Sequence, residues 1–159
     1  MITFYYIIWP KIKHFLWRAL RQCLPTRARL ITKGVECPLH CCFCSQSYEN
    51  EWHIFFACDK AKEVWQAAEL WHLIQPKADS AEGFKDLVFD LLNHLKQHEV
   101  QKLAVTLWSI WRNRNSKVWD QVDTNPNIVA DLGLHYFSEW LSARAPTSTR
   151  VSYSTPSTI

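Results

Sequence analysis

Ile12, Phe15, Leu16, Ala19 and Leu20 recur at the i, i+3, i+4, i+7, i+8 spacing of a helix face. Pro10 suits the first position of that helix, where its missing N–H leaves no bond unmade. A second, short helix is expected from Thr26 to Lys33, entered through Pro25 and stopped by Gly34. Ala61 to Trp71 reads as a helix with Val64, Ala68 and Trp71 on one side. Asp79 and Glu82 have capping-box spacing ahead of Phe84, Leu87, Val88, Leu91, Leu92 and Leu95, the most regular apolar stripe in the chain. Leu103, Leu107, Ile110 and Trp111 mark another helix ending near Trp119, and Asn125-Pro126 opens a last one through Trp140. From Ala145 onward the chain is rich in Ser, Thr and Pro with little to bury, which predicts a flexible tail. No pair of alternating strands and no internal repeat is visible.

Composition agrees with a compact, mainly α chain. Of 159 residues 48% are hydrophobic, nine are tryptophan, and only three are glycine, which leaves little turn material for a many-stranded sheet. The net charge of +3 is unevenly placed. Seven Lys or Arg and no acid lie between Met1 and Lys33, leaving eleven bases against fifteen acids beyond, a net −4. A basic third on a mildly acidic remainder suggests a one-sided surface for a polyanion. The apolar run Met1 to Trp9 is too short to span a bilayer and lacks the flanks of a signal peptide. An intracellular, reducing location follows, with the nucleus as one option, and there clustered cysteines read as metal ligands rather than disulfides.

Five cysteines and two histidines fall within the 22 residues from Cys37 to Cys58. Cys41 and Cys44 are separated by two residues, eight more lead to His53, and four more to Cys58. Zinc takes four tetrahedral N or S ligands, and a two-residue spacer bends two thiolates around one ion. His53 and Cys58 are close enough for one turn to present both. One structural zinc held by Cys41, Cys44, His53 and Cys58 is the preferred set, because it uses the tightest knuckle. Cys37, His40 and Cys42 remain in reach as alternatives. Four protein ligands leave no open position, which argues for structure over catalysis. A redox reading of Cys41-x-x-Cys44 lacks its βαβ setting, and Cys23, placed on the first helix, reads as a small apolar residue.

Several runs together resemble one family. Pro10 to Leu20, then Leu24-Pro25-Thr26-Arg27 with Leu30 and Gly34, precede the Cys41, Cys44, His53, Cys58 set, Phe55-Phe56 and Val64-Trp65. This order resembles the zinc-binding region of plant non-long-terminal-repeat retrotransposon reverse transcriptases. Leu107 to Asn115 resembles the tryptophan-rich stretch that often follows it. The likeness is strong over Pro10 to Trp65 and weaker to Trp119. It implies a small zinc-stabilised knuckle set among amphipathic helices, in a segment that sits between a polymerase and a ribonuclease H-like domain. No Asp-Asp pair of the polymerase kind occurs, so no enzymatic activity is expected. The expected organisation is an apolar remnant (1–9), a zinc-binding domain (10–75), a helical extension (76–144) and the tail (145–159).

A non-catalytic binding role is the expectation. On the first helix Lys11, His14, Arg18 and Arg21 form a stripe opposite the apolar face, which Arg27, Arg29 and Lys33 extend if the second helix packs beside it. Such a stripe neutralises phosphates with little sequence choice, so RNA or single-stranded DNA is the expected partner, with Phe43, Tyr48 or Trp52 as base-stacking candidates. The competing expectation is a scaffold or protein-interaction module without nucleic-acid affinity. Neither a membrane nor a small-molecule substrate is expected. The bland readings place Phe43, Trp52, Phe55, Phe56, Trp108, Trp111 and Trp119 in packing, and His72, His94 and His98 on the surface; His135 is unassigned.

Overall fold

A computed structural model describes residues 8–145. Its described elements are seven α-helices and one π turn: α1 (Pro10–Leu20), α2 (Arg27–Thr32), the π turn (His53–Ala57), α3 (Asp59–Ala67), α4 (Trp71–Ala78), α5 (Phe84–His94), α6 (Gln97–Asp120) and α7 (Pro126–Arg144). Most of the expected tail and the run before Ile8 lie outside the described residues. Among those described there is no strand, only one antiparallel bridge between His40 and Tyr48.

The helix termini follow local chemistry. Pro10 is the first residue of α1, which buries Ile12, Phe15, Leu16 and Ala19. Thr26 caps α2 by accepting a hydrogen bond from the Arg29 amide at 3.2 Å. Gly34, at φ +81°, lets the chain leave α2 through a left-handed residue. Asn125 caps α7 by accepting from the Asn127 amide at 2.9 Å.

Four expectations need correction. The helix expected over Ala61 to Trp71 begins at Asp59, ends at Ala67, and gives way at Trp71 to the unanticipated α4. Glu69 is left-handed at φ +58° between them, a turn that buries both Ala68 and Leu70. Pro76 lies inside α4, beyond the first turn where proline is usual, and so masked this helix in the sequence. The Asp79–Glu82 capping box is not formed: Asp79 ends α4, and the Asp86 carboxylate accepts from the Glu82 amide at 3.0 Å. Cys23 lies beyond the end of α1, half-buried, with its thiol on the Arg21 carbonyl. Trp119, expected in packing, is 78% exposed because α6 runs past the helices it packs on.

One continuous core joins all the helices except α2, with buried residues from Ile8 to Phe137. Its centre is aromatic. Phe55 lies 6.1 Å from Phe15 of α1, 5.2 Å from Phe84 of α5 and 6.3 Å from Trp111 of α6, between ring centroids. Phe56 stacks on Trp65 of α3 at 5.8 Å. The π turn is therefore buried on its far side by four helices. The Trp65 indole N–H donates to the Phe55 carbonyl at 2.6 Å, satisfying a backbone group in this dry centre. Gly133 marks the closest approach of α7 to α6: a β-carbon there would stand 2.3 Å from Ser109 Oγ and 2.8 Å from Val105 Cγ1.

Candidate metal centre

Two short backbone devices bring the four ligands together. In the first, Cys41 N–H donates to the Ser47 carbonyl at 2.8 Å, and Ser45 N–H returns to the Cys41 carbonyl at 2.9 Å. Ser45 is left-handed at φ +56°, which closes the turn and sets Cys44 beside Cys41. The Phe43 amide points at Cys41 Sγ at 3.4 Å, a donor suited to a thiolate.

In the second, Cys58 lies five positions beyond His53. On a straight α-helix that spacing would turn the two side chains about 140° apart. The chain instead takes a π turn, with Cys58 N–H donating to the His53 carbonyl at 2.8 Å, and then extends at Cys58 (φ −67°, ψ 136°). The wider turn returns both side chains to one side, the kind of functional use to which π turns are put. Asn50 Oδ1 accepts from the His53 amide at 2.9 Å and so holds the start of the turn.

The four ligand atoms of Cys41, Cys44, His53 and Cys58 all lie within 4.8 Å of one another. Cys41 Sγ is 4.0 Å from Cys58 Sγ, and Cys44 Sγ is 3.3 Å from His53 Nε2. Tetrahedral zinc with ordinary bond lengths would set two sulfurs about 3.8 Å apart and sulfur and nitrogen about 3.5 Å apart. The donor set and spacing thus fit one closed zinc site. Cys41, His53 and Cys58 are buried and Cys44 half-buried, so the ion would be screened from solvent.

Electrostatics point the same way. In the bare protein, hydrogen bonds from Cys42 and then Cys58 hold the Cys41 thiol far below its ordinary range. The same bonds, with burial next, push Cys42 and Cys58 far above theirs. One thiolate is thus favoured at the expense of its neighbours, and a dication removes that conflict by replacing the protons.

The alternative ligands are not gathered with this set. Cys37 Sγ faces the Arg27 carbonyl at 3.8 Å, and the His40 ring lies 5.7 Å from Tyr48. Cys42 is held beside Cys41 but points into the field of Glu49 and Arg114. Of the basic residues, Lys11, His14 and Arg21 are exposed and Arg18 half-buried. The Arg27 guanidinium is spent on the His40 carbonyl at 2.5 Å, and Arg29 is half-buried near Glu51.

One feature of the site is not anticipated from the sequence. Glu49 is fully buried and pairs with buried Arg114 of α6: Arg114 Nη2 donates to Oε1 at 2.5 Å and Nε to Oε2 at 3.3 Å. Glu49 Oε1 also accepts from the Arg27 amide at 2.9 Å. One carboxylate therefore ties the metal loop to the start of α2 and to α6. The available signal was Arg114 itself, which continues the apolar register of Leu103, Leu107 and Ile110 and so requires a buried partner.

No helix among the described residues is long and apolar enough to cross a membrane. No curated protein and no solved structure gives a significant match to the chain. Residues 2–65, which contain all four ligands and the helix α1 that packs beneath them, match the model of the family described as zinc-binding in reverse transcriptase.

Proposed function

We propose that this chain is a non-catalytic zinc module derived from a retrotransposon reverse transcriptase, and that it binds nucleic acid through the basic face of α1. The observation that carries the reading is a set of cations without counter-charges. Among the described residues, Lys11, Arg18 and Arg21 have no carboxylate in ion-pair range, unlike Lys60, which pairs with Asp123, and Lys77, which pairs with Asp90. Unpaired cations on one helix face raise the local potential and invite phosphates. The metal supports that face indirectly: α1 packs through Phe15 on Phe55, inside the π turn that carries His53. With four protein ligands around the ion, no position is left for a substrate or an activated water.

The test is binding of labelled RNA or single-stranded DNA by fluorescence anisotropy across a salt series. Replacing Arg18→Glu and Arg21→Glu together should weaken binding and flatten the salt slope by about one to two. Unchanged affinity in that variant would remove the α1 face from the reading.

A specific observation favours a second reading, a protein-interaction scaffold. Trp119 in the last turn of α6 and Val122 just after it, with Ile128 and Leu132 on α7, are apolar and exposed. Self-association in light scattering, without affinity for any nucleic acid, would support that reading instead.

A further inference from the structure

We infer that Trp17 is a base-stacking platform that gives the α1 face a preference for single-stranded nucleic acid. This rests on the reading that α1 binds nucleic acid, and it names the form of nucleic acid the face takes.

Trp17 lies on the side of α1 opposite Ile12, Phe15, Leu16 and Ala19, and its side chain is 53% exposed. The core does not hold it there, unlike Trp65, Trp108 and Trp111, which are buried. An indole left in water loses the hydrophobic gain that burial would give, and its intrinsic helix propensity is only ordinary. Its surroundings are what a polyanion requires. Arg21 Cζ lies 5.3 Å from the Trp17 ring centroid, and the His14 ring is stacked 6.3 Å away at 28°. Arg18 is its neighbour in the chain, and α1 contains no acid. With 53% of the residue exposed and both neighbours on flexible, solvent-facing side chains, a base can displace the His14 ring or the Arg21 guanidinium from the indole while its phosphates meet Arg18 and Arg21.

The contrast with Trp119 sharpens the assignment. Trp119 is more exposed still, but it precedes Asp120 in the chain and has no cation over its ring among the described residues. Two aromatics of the knuckle are less suited: Phe43 and Trp52 are half-buried, with Lys60 Nζ over Phe43 at 5.7 Å and Phe56 against Trp52 at 5.8 Å. Tyr48 is 62% exposed, but among the described residues its ring meets His40, at 5.7 Å, and no Lys or Arg. Single-strand preference follows from access. In a duplex the base faces are stacked on one another, whereas an unpaired base can be splayed onto an aromatic ring, and such stacking tolerates any sequence.

The experiment uses the zinc-loaded full chain and three labelled probes: oligothymidylate, the duplex it forms with oligoadenylate, and an abasic strand with the same number of phosphates. Wild type should bind oligothymidylate more tightly than either other probe. Trp17→Ala should lose roughly five- to a hundredfold on oligothymidylate, nothing on the abasic strand, and keep the wild-type salt slope. Trp17→Phe should retain most of the affinity. Equal loss on the abasic strand, or no loss on oligothymidylate, would overturn the stacking role. If Trp17→Ala is silent while Arg18→Glu with Arg21→Glu abolishes binding, the electrostatic face stands and the platform falls. If wild type binds none of the probes, the α1 reading fails and the platform with it.

Discussion

Glu49 shows how much of this fold rests on single polar contacts. Its carboxylate is fully buried, accepts from the Arg27 amide, and takes two donors from Arg114 across 65 residues of chain. Such a pair gains little over a well-packed apolar pair, but breaking one side strands a buried charge. Arg114→Met is therefore expected to destabilise the protein by about 3–5 kcal/mol, read as a lowered urea midpoint. Adding Glu49→Gln to that variant should recover part of the loss, because the amide keeps an oxygen for Arg27 N–H and carries no charge. Equal midpoints for Arg114→Met and wild type would mean the pair is not buried in solution. At Gly133 the limit is space rather than charge. Alanine would put a methyl group 2.3 Å from Ser109 Oγ and 3.1 Å from the Val105 carbonyl. Gly133→Ala should cost about 1–3 kcal/mol through overpacking, and an unchanged midpoint would contradict the α6–α7 contact.

At the level of elements, the π turn is the joint between metal and core. One side of it carries His53 and leads into Cys58, and its interior holds Phe55 and Phe56 in the aromatic cluster. Phe55→Ala should therefore weaken metal binding as well as stability, since the turn loses its anchor; the loss of stability should be about 3–5 kcal/mol. Zinc titration against a competing chelator checks the first effect and urea denaturation the second. Undiminished zinc affinity in a destabilised variant would separate the two. The elements differed in how far they could be read from sequence. α1, α2, α5, α6 and α7 were legible because their stripes, prolines and caps act locally within a few residues. α4 was hidden by Pro76, and the α3–α4 break is set by the burial of Ala68 and Leu70, which is a tertiary demand. The ligands were legible from spacing alone. The π turn that makes a five-residue interval work was not, because nothing in His53 to Ala57 distinguishes a wide turn from an α-helical one.

For the whole molecule, the metal and the helical core are two supports of unequal reach. Removing zinc should release the knuckle and the π turn, because metal binding free energy is folding free energy in such a site. α6 and α7 pack closely at Gly133 against Val105 and Ser109, a contact that needs no ligand, so helical structure should fall only in part. Circular dichroism with and without a chelator checks this, and an unchanged melting curve would contradict it. Binding must also release protons, since Cys58 is held protonated in the bare protein by its bond to Cys41 and by burial. Apo protein thus carries more protons than holo protein, so zinc affinity should rise with pH and be lost on acidification. Calorimetry in two buffers of different ionisation heat reads that release directly. The most direct measurement of all is zinc content by native mass spectrometry on wild type, Cys44→Ser and Cys37→Ser. One zinc is expected in wild type and in Cys37→Ser, and none in Cys44→Ser. No zinc in wild-type protein prepared under reducing conditions with zinc present, or its loss from Cys37→Ser rather than Cys44→Ser, would contradict the site formed by Cys41, Cys44, His53 and Cys58.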